Sequence, residues 1–177
     1  MPQLATTRDA LYEEASAAHG AAIHRLARSY ELDPDKQRDL LQEIHIAIWH
    51  SLAGFESQCS LRTWVYRVAH NVAASHVVRH TRMRLSRFVT LEEAATLADR
   101  TDNQEALERS DAVEQIHALI RELEPIERQV ILLYLEGEDA ASIGVITGIS
   151  AGNVATRIHR IKKILASRFQ HGERDGQ

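Results

Sequence analysis

Residues capable of covalent chemistry occur in this chain, but not in arrangements that would use them. Ten histidines and one cysteine stand among 177 residues. His76 and His80 are four apart, which places two imidazoles on one helix face, yet no Asp, Glu or Cys lies close by in sequence to complete a metal-ligand set. Cys59 has no second thiol to pair with and no motif around it. Phosphate-cradling glycine loop, nucleophile elbow and recognisable carboxylate pair are all missing from the sequence. The expectation is a protein with no catalytic residues, no metal and no cofactor.

The chemistry available is charge recognition, because the charges are unevenly placed. Formal net charge is -4, which taken alone argues mildly against nucleic acid. However, no Asp or Glu occurs from Ser57 to Leu91, a stretch holding Arg62, Arg67, Arg79, Arg82, Arg84 and Arg87 with His70, His76 and His80. Acids are again absent from Ala140 to Gly172, where Arg157, Arg160, Lys162, Lys163 and Arg168 stand. One such stretch is as well explained by a solvated helix face. Two segregated basic stretches in an acidic chain fit two separate contacts with phosphates. The lone thiol excludes an intrachain disulfide, and no apolar run reaches the length of a bilayer, so a soluble cytoplasmic protein is expected.

The elements that must carry these charges read as helices throughout. Apolar residues with few aromatics (44% and 5%) suit helices packed with Leu, Ile, Val and Ala. Leu11, Ala15, Ala18, Ala22, Ile23, Leu26 and Tyr30 return to one side of a first helix. Asp33 then reads as an N-cap with Pro34 at the first helical position, opening a helix whose stripe is Leu40, Leu41, Ile44, Ile48 and Leu52. After a loop at Ala53–Ser57, a third long helix shows Leu61, Trp64, Val65, Val68 and Val72 as its apolar face. Acids crowd residues 90–109, which read as a linker. Val113, Ile116, Leu119, Ile120 and Leu123 open a second periodic block, and Pro125 starts the helix of Val130, Ile131, Leu133, Tyr134 and Leu135, stopped at Gly137.

Ala140–Ser150 has the chemistry of the first helix and turn of a helix-turn-helix. Small residues allow two helices to cross closely, Gly148 permits the turn, and Ile143, Ile149 and Val154 form the small core. Ser150 caps the second helix. That helix points Asn153, Thr156, Arg157, His159, Arg160 and Lys163 outward, the types that reach base edges near its start and phosphates further along.

Two further segments narrow the reading. Asp39-Leu40-Leu41-Gln42-Glu43 and Leu61-Arg62-Thr63-Trp64-Val65-Tyr66-Arg67-Val68-Ala69-His70-Asn71 resemble the second conserved region of extracytoplasmic-function sigma factors. Leu123-Glu124-Pro125, Arg128-Gln129-Val130, Leu133-Tyr134-Leu135-Glu136-Gly137 and the helix-turn-helix resemble their fourth region. The resemblance covers most of the chain, in the right order. It implies that Asp39, Gln42 and Glu43 contact core RNA polymerase, with Trp49 an aromatic anchor on the same side or a packing residue. It also implies that Phe55, Arg62, Arg67, His70 and Asn71 engage the melted minus-ten element, Asn71 serving either base capture or a local hydrogen bond. Asn153, Thr156, Arg157, His159, Arg160 and Lys163 would then meet the minus-thirty-five element. Ala155 stands where many relatives have a basic residue, so the promoter bases do not carry over.

The expected architecture is all-α: a domain over 8–88, a linker over 89–110 and a helix-turn-helix domain over 111–170. The expected function is promoter recognition, DNA melting and transcription initiation as a sigma factor. Its partners would be core RNA polymerase and promoter DNA, with an anti-sigma factor as a further partner the family admits. The rival is a conventional helix-turn-helix regulator that binds duplex operator without polymerase and has no need of the Asp39–Glu43 motif.

Overall fold

The computed structural model describes residues 2–87 and 106–172, with side chains described over 7–79 and 114–167. Seven α-helices and one short 3-10 turn make up the described chain, and no strand occurs among the described residues. They are α1 (Pro2–Tyr30), α2 (Pro34–Ser51), the 3-10 turn Leu52–Gly54, α3 (Leu61–Arg87), α4 (Ala106–Arg121), α5 (Pro125–Leu135), α6 (Ala140–Thr147) and α7 (Ala151–Gly172). The linker expected at 89–110 falls largely outside the described residues, as do the end of the first expected domain at Phe88 and the side chains of His80, Arg82, Arg84, Arg87, Val113 and Arg168.

The first three helices share one core. Asp33 caps α2, its carboxylate accepting from the backbone N–H of Asp35 at 2.9 Å and of Lys36 at 3.4 Å, while Pro34 supplies the preset φ of the first turn. The stripe of α2 is Leu40, Ile44, Ile48 and then Leu52, all buried. To the same core α1 contributes Ala15, Ala22, Ile23, Leu26, Ala27 and Tyr30, small residues alternating with large ones so that neighbouring helices approach closely. Ala18, expected on that stripe, is exposed, and Leu11 is half-buried.

The buried line of α3 differs from the expected one. Val65, Tyr66, Ala69 and Ala73 are its buried hydrophobic residues, with His70 and His76 buried beside them, whereas Leu61, Trp64, Val68 and Val72 are half-buried at its margin. The cause is a second neighbour: α3 packs on α1 and α2 along one side and on α5 and α6 along another. Two partners pull the centre of burial towards the small alanines and Tyr66.

The second half is built around α5, which is buried on nearly every side from Glu127 to Leu133 by α3, α4, α6 and α7. Tyr134 and Leu135, expected in its core, are exposed at 37% and 60% because the helix emerges from its neighbours there. Gly137 follows with φ 84°, the left-handed stop that favours glycine. Ile143, Ile146, Val154 and Ile161 close the core between α6 and α7.

Candidate nucleic-acid interface

The turn between α6 and α7 explains its own sequence. Asp139 caps α6 by accepting from the N–H of Ser142 at 2.7 Å, and Ser150 caps α7 by accepting from the N–H of Asn153 at 3.3 Å. Gly148 ends α6 with φ 79°. Gly144 is the residue that lets the two helices meet: a Cβ there would stand 2.7 Å from the Ile149 carbonyl oxygen. Sequence reasoning found Gly148 but not the role of Gly144, whose signal was only its place among small residues.

The outward face of α7 holds the six residues nominated for duplex DNA. Asn153, Thr156, His159, Arg160 and Lys163 are exposed, and Arg157 is half-buried. They are not all free. The hydroxyl of Thr156 donates to the Gly152 carbonyl at 3.0 Å, and Arg157 Nε donates to Asn153 Oδ1 at 2.8 Å. Arg160 pairs with the buried carboxylate of Glu127, whose Oε1 also lies 3.9 Å from Arg157. Lys162 donates to the Tyr134 hydroxyl at 2.7 Å and rests 4.2 Å over its ring. A row of cations next to an amide at the start of a helix is the set of side-chain types that suits phosphate contacts and base-edge reading.

On α3 the nominated residues divide. Asn71 is exposed. Phe55 packs on Trp64 with ring centroids 5.4 Å apart, and the Trp64 indole donates to Ser51 Oγ at 3.0 Å. The remaining three face the second half of the molecule. Arg62 pairs with Glu138, donates to the Glu136 carbonyl at 2.9 Å, and stands 5.4 Å from the Tyr66 ring centroid. Arg67 donates to the Val145 carbonyl at 3.2 Å. His70 is 4% exposed, and its carbonyl accepts from the Gln129 side chain at 3.1 Å. Burial pushes the His70 imidazole down to about 3, so it stays neutral where an ordinary histidine would be charged. His70 Nδ1 and Arg67 Nε are both buried without a hydrogen-bond partner among the described residues. A cavity of about 180 Å³ is bordered by His70, His117, Leu26 and Leu132. His117 is held below its usual value by the same effect of burial.

The α2 residues nominated for polymerase lie on its outer side. Asp39 and Gln42 are exposed and Glu43 is half-buried, its carboxylate 2.5 Å from the Arg79 guanidinium of α3. Trp49, seven residues beyond Gln42, is half-buried: its indole donates to Asp9 Oδ1 at 3.0 Å and Arg8 lies 3.4 Å over its ring. Between them Ile46 is 49% exposed. Sequence reasoning missed Ile46, although its spacing from Asp39, Gln42 and Trp49 follows the same helical period. No metal-holding group of three or more ligands occurs among the described residues, and none of their helices is long and apolar enough to cross a membrane.

Comparison with known proteins agrees in both halves. The family model described as Sigma-70 region 2 matches residues 16–83, and the model described as Sigma-70, region 4 matches residues 113–165. The chain is 27% identical over 145 residues to RNA polymerase sigma-H factor of Pseudomonas aeruginosa, covering 78% of this chain and 75% of that one. It is 28% identical over 139 residues to ECF RNA polymerase sigma-E factor of Escherichia coli K12, covering 75% and 73%. Two solved structures share the fold. One is CnrH in complex with the cytosolic domain of CnrY, at TM-score 0.66 and 22% identity over 96% of this chain and 94% of that one. The other is the sigma factor RpoE in complex with the anti-sigma factor NepR from Bartonella quintana, at TM-score 0.69 and 18% identity over 90% and 96%. With both conserved regions matched in order and a shared all-helical fold, the chain belongs to the sigma-70 family, as an extracytoplasmic-function sigma factor.

Proposed function

We propose that the chain binds core RNA polymerase through the outer face of α2 and directs it to promoters through α3 and α7. The observation that carries the reading is the presence, in one molecule, of a polar docking face and a separate basic helix-turn-helix. Asp39, Gln42, Glu43, Ile46 and Trp49 run along one side of α2, combining charge with exposed apolar surface as a protein partner requires. The helix-turn-helix presents Asn153, Arg157, His159, Arg160 and Lys163 to the minus-thirty-five duplex, with Thr156 alongside. Phe55, Arg62, Arg67 and Asn71 belong to the element that holds the separated minus-ten strand, where cations and aromatics suit unpaired bases, and His70, buried and neutral, lies beneath them rather than on the strand. The chain itself performs no bond chemistry. Melting is driven by binding energy within the polymerase, which makes the RNA.

An anti-sigma factor is a fitting partner, since one fold neighbour is in complex with such a protein. The site of action is the cytoplasm, where the DNA is. A regulator that bound duplex operator alone would leave the α2 face without a use.

Binding to purified core polymerase tests the docking face. The wild type should bind with an affinity that falls at least tenfold in an Asp39→Ala, Gln42→Ala, Glu43→Ala variant, and comparably in Ile46→Arg, consistent with the ~2 kcal/mol typical of central interface residues. Melting temperatures should be unchanged, because these side chains lie outside the core. Wild-type protein that ignores core polymerase while binding duplex operator as a symmetric dimer would sink the reading.

A further inference from the structure

The outward face of α7 is not a free row of cations, because one carboxylate from the interior reaches it. Glu127 sits in the first turn of α5 and is 6% exposed. Its Oε1 pairs with Arg160 and lies 3.9 Å from Arg157 Nη1. Arg157 in turn donates through Nε to Asn153 Oδ1 at 2.8 Å. A guanidinium carries donors only, so the Asn153 atom facing Arg157 must be the amide oxygen. Its NH2 group is therefore the part left to face outward from the start of the recognition helix. A carboxylate so nearly excluded from water needs its cationic partners, and it holds long, otherwise mobile side chains in one arrangement.

We infer that Glu127 is a positioning residue for base reading: from α5 it fixes Arg157 and Arg160, and through Arg157 it sets the orientation of the Asn153 amide. This rests on the reading of α7 as the duplex-binding helix. Glu127 also tempers the charge of that helix. Paired with Glu127, two arginines next to the groove are partly neutralised, so binding relies less on phosphates and more on the base edge. The carboxylate lowers raw affinity for DNA and raises discrimination. A surface acid placed there merely for stability would leave discrimination untouched.

The test uses the full chain with core polymerase and a duplex library randomised across the upstream element. Wild type, Glu127→Gln, Glu127→Asp, Arg157→Gln and Asn153→Ala are compared for base preference at each position and for salt dependence. Asn153→Ala should abolish preference at one position. Glu127→Gln should flatten that same position by about tenfold, the size of one good base contact, while binding of unrelated duplex becomes stronger and its salt dependence steeper. Glu127→Asp, which keeps the charge, should restore preference in part. Arg157→Gln breaks the same chain from the other side, so its effect should not add to that of Glu127→Gln. This second route serves if Glu127→Gln alone folds poorly.

Retention of wild-type preference by Glu127→Gln, with Asn153→Ala losing it, would overturn the positioning role and leave the reading of α7 intact. No upstream preference in the wild type, together with indifference to Asn153→Ala, would instead overturn the reading of α7 and the positioning role with it.

Discussion

His70 shows how far one residue's type can stand from its use. Its sequence context among arginines and Asn71 suggested a DNA-facing side chain, but the imidazole is buried and neutral beside the second half of the molecule. The sign of the resulting pH dependence follows from the direction of the shift. Unfolded, His70 titrates near its ordinary 6.5; folded, near about 3. The unfolded chain therefore binds an extra proton between these values, and stability falls as pH drops from about 6.5 towards 3. His19, His45 and His117, also lowered by burial, add to the same trend. Urea midpoints at pH 7 and pH 4.5 should show a marked loss in the wild type. In His70→Gln the dependence should be shallower by about one proton, or about 1.4 kcal/mol per pH unit; an unchanged slope would show that the imidazole is already hydrated. Type and spacing made Asn153, Arg160 and Lys163 legible as outward groups, since helical period sets direction. They left the burial of Glu127 and His70 illegible, because neither periodicity nor charge reports what a distant helix covers.

At the scale of elements, most helix boundaries were readable because they depend on local signals: Asp33 with Pro34, Pro125, Gly137, Gly148 with Ser150. The α3 stripe was misplaced by about one residue for the opposite reason, since its burial is shared between α1, α2, α5 and α6. Ile46 was not legible because the outer stripe of α2 is marked by its polar residues Asp39, Gln42 and Glu43, and an isoleucine among them gives no sign in the sequence of standing exposed. The helix-turn-helix carries the sharpest element-level prediction. In an ordinary helix Gly→Ala adds up to about 1 kcal/mol of stability. At Gly144 the new methyl would meet the Ile149 carbonyl at 2.7 Å, and overpacking against a backbone atom costs about 1–3 kcal/mol. The clash outweighs the propensity, so Gly144→Ala should lower the melting temperature and weaken duplex binding. A variant as stable as the wild type would mean that the α6–α7 turn can open without loss.

The whole molecule is closed upon part of its own candidate site. Arg62, Arg67 and His70 of α3 are engaged by Glu138, Glu136, Val145 and Gln129, and Arg25 grips Glu136 through two hydrogen bonds of 2.7 Å. This closure also buries Arg67 Nε and His70 Nδ1 without partners, a cost of about 1–3 kcal/mol for each such atom. On the proposed reading of α3, closure competes with strand binding for the same arginines, and weakening it should favour the DNA. Glu138→Lys places a cation against Arg62 and should widen the molecule in small-angle scattering while raising affinity for a single-stranded minus-ten oligonucleotide. An unchanged radius would show that Arg62 and Glu138 do not hold the halves together. None of this closure was legible in the sequence: Arg62 and Glu138 are 76 residues apart, and only the fold brings them into contact.

Reconstituted transcription bears most directly on the function. Core RNA polymerase with the purified protein is supplied with fragmented genomic DNA and the RNA 5′ ends are mapped, beside the Asp39→Ala, Gln42→Ala, Glu43→Ala variant. Defined start sites sharing two upstream elements, made by the wild type and lost in the variant, are the result expected of a promoter-specific sigma factor. Starts no different from those of core polymerase alone, in wild type and variant alike, would contradict it.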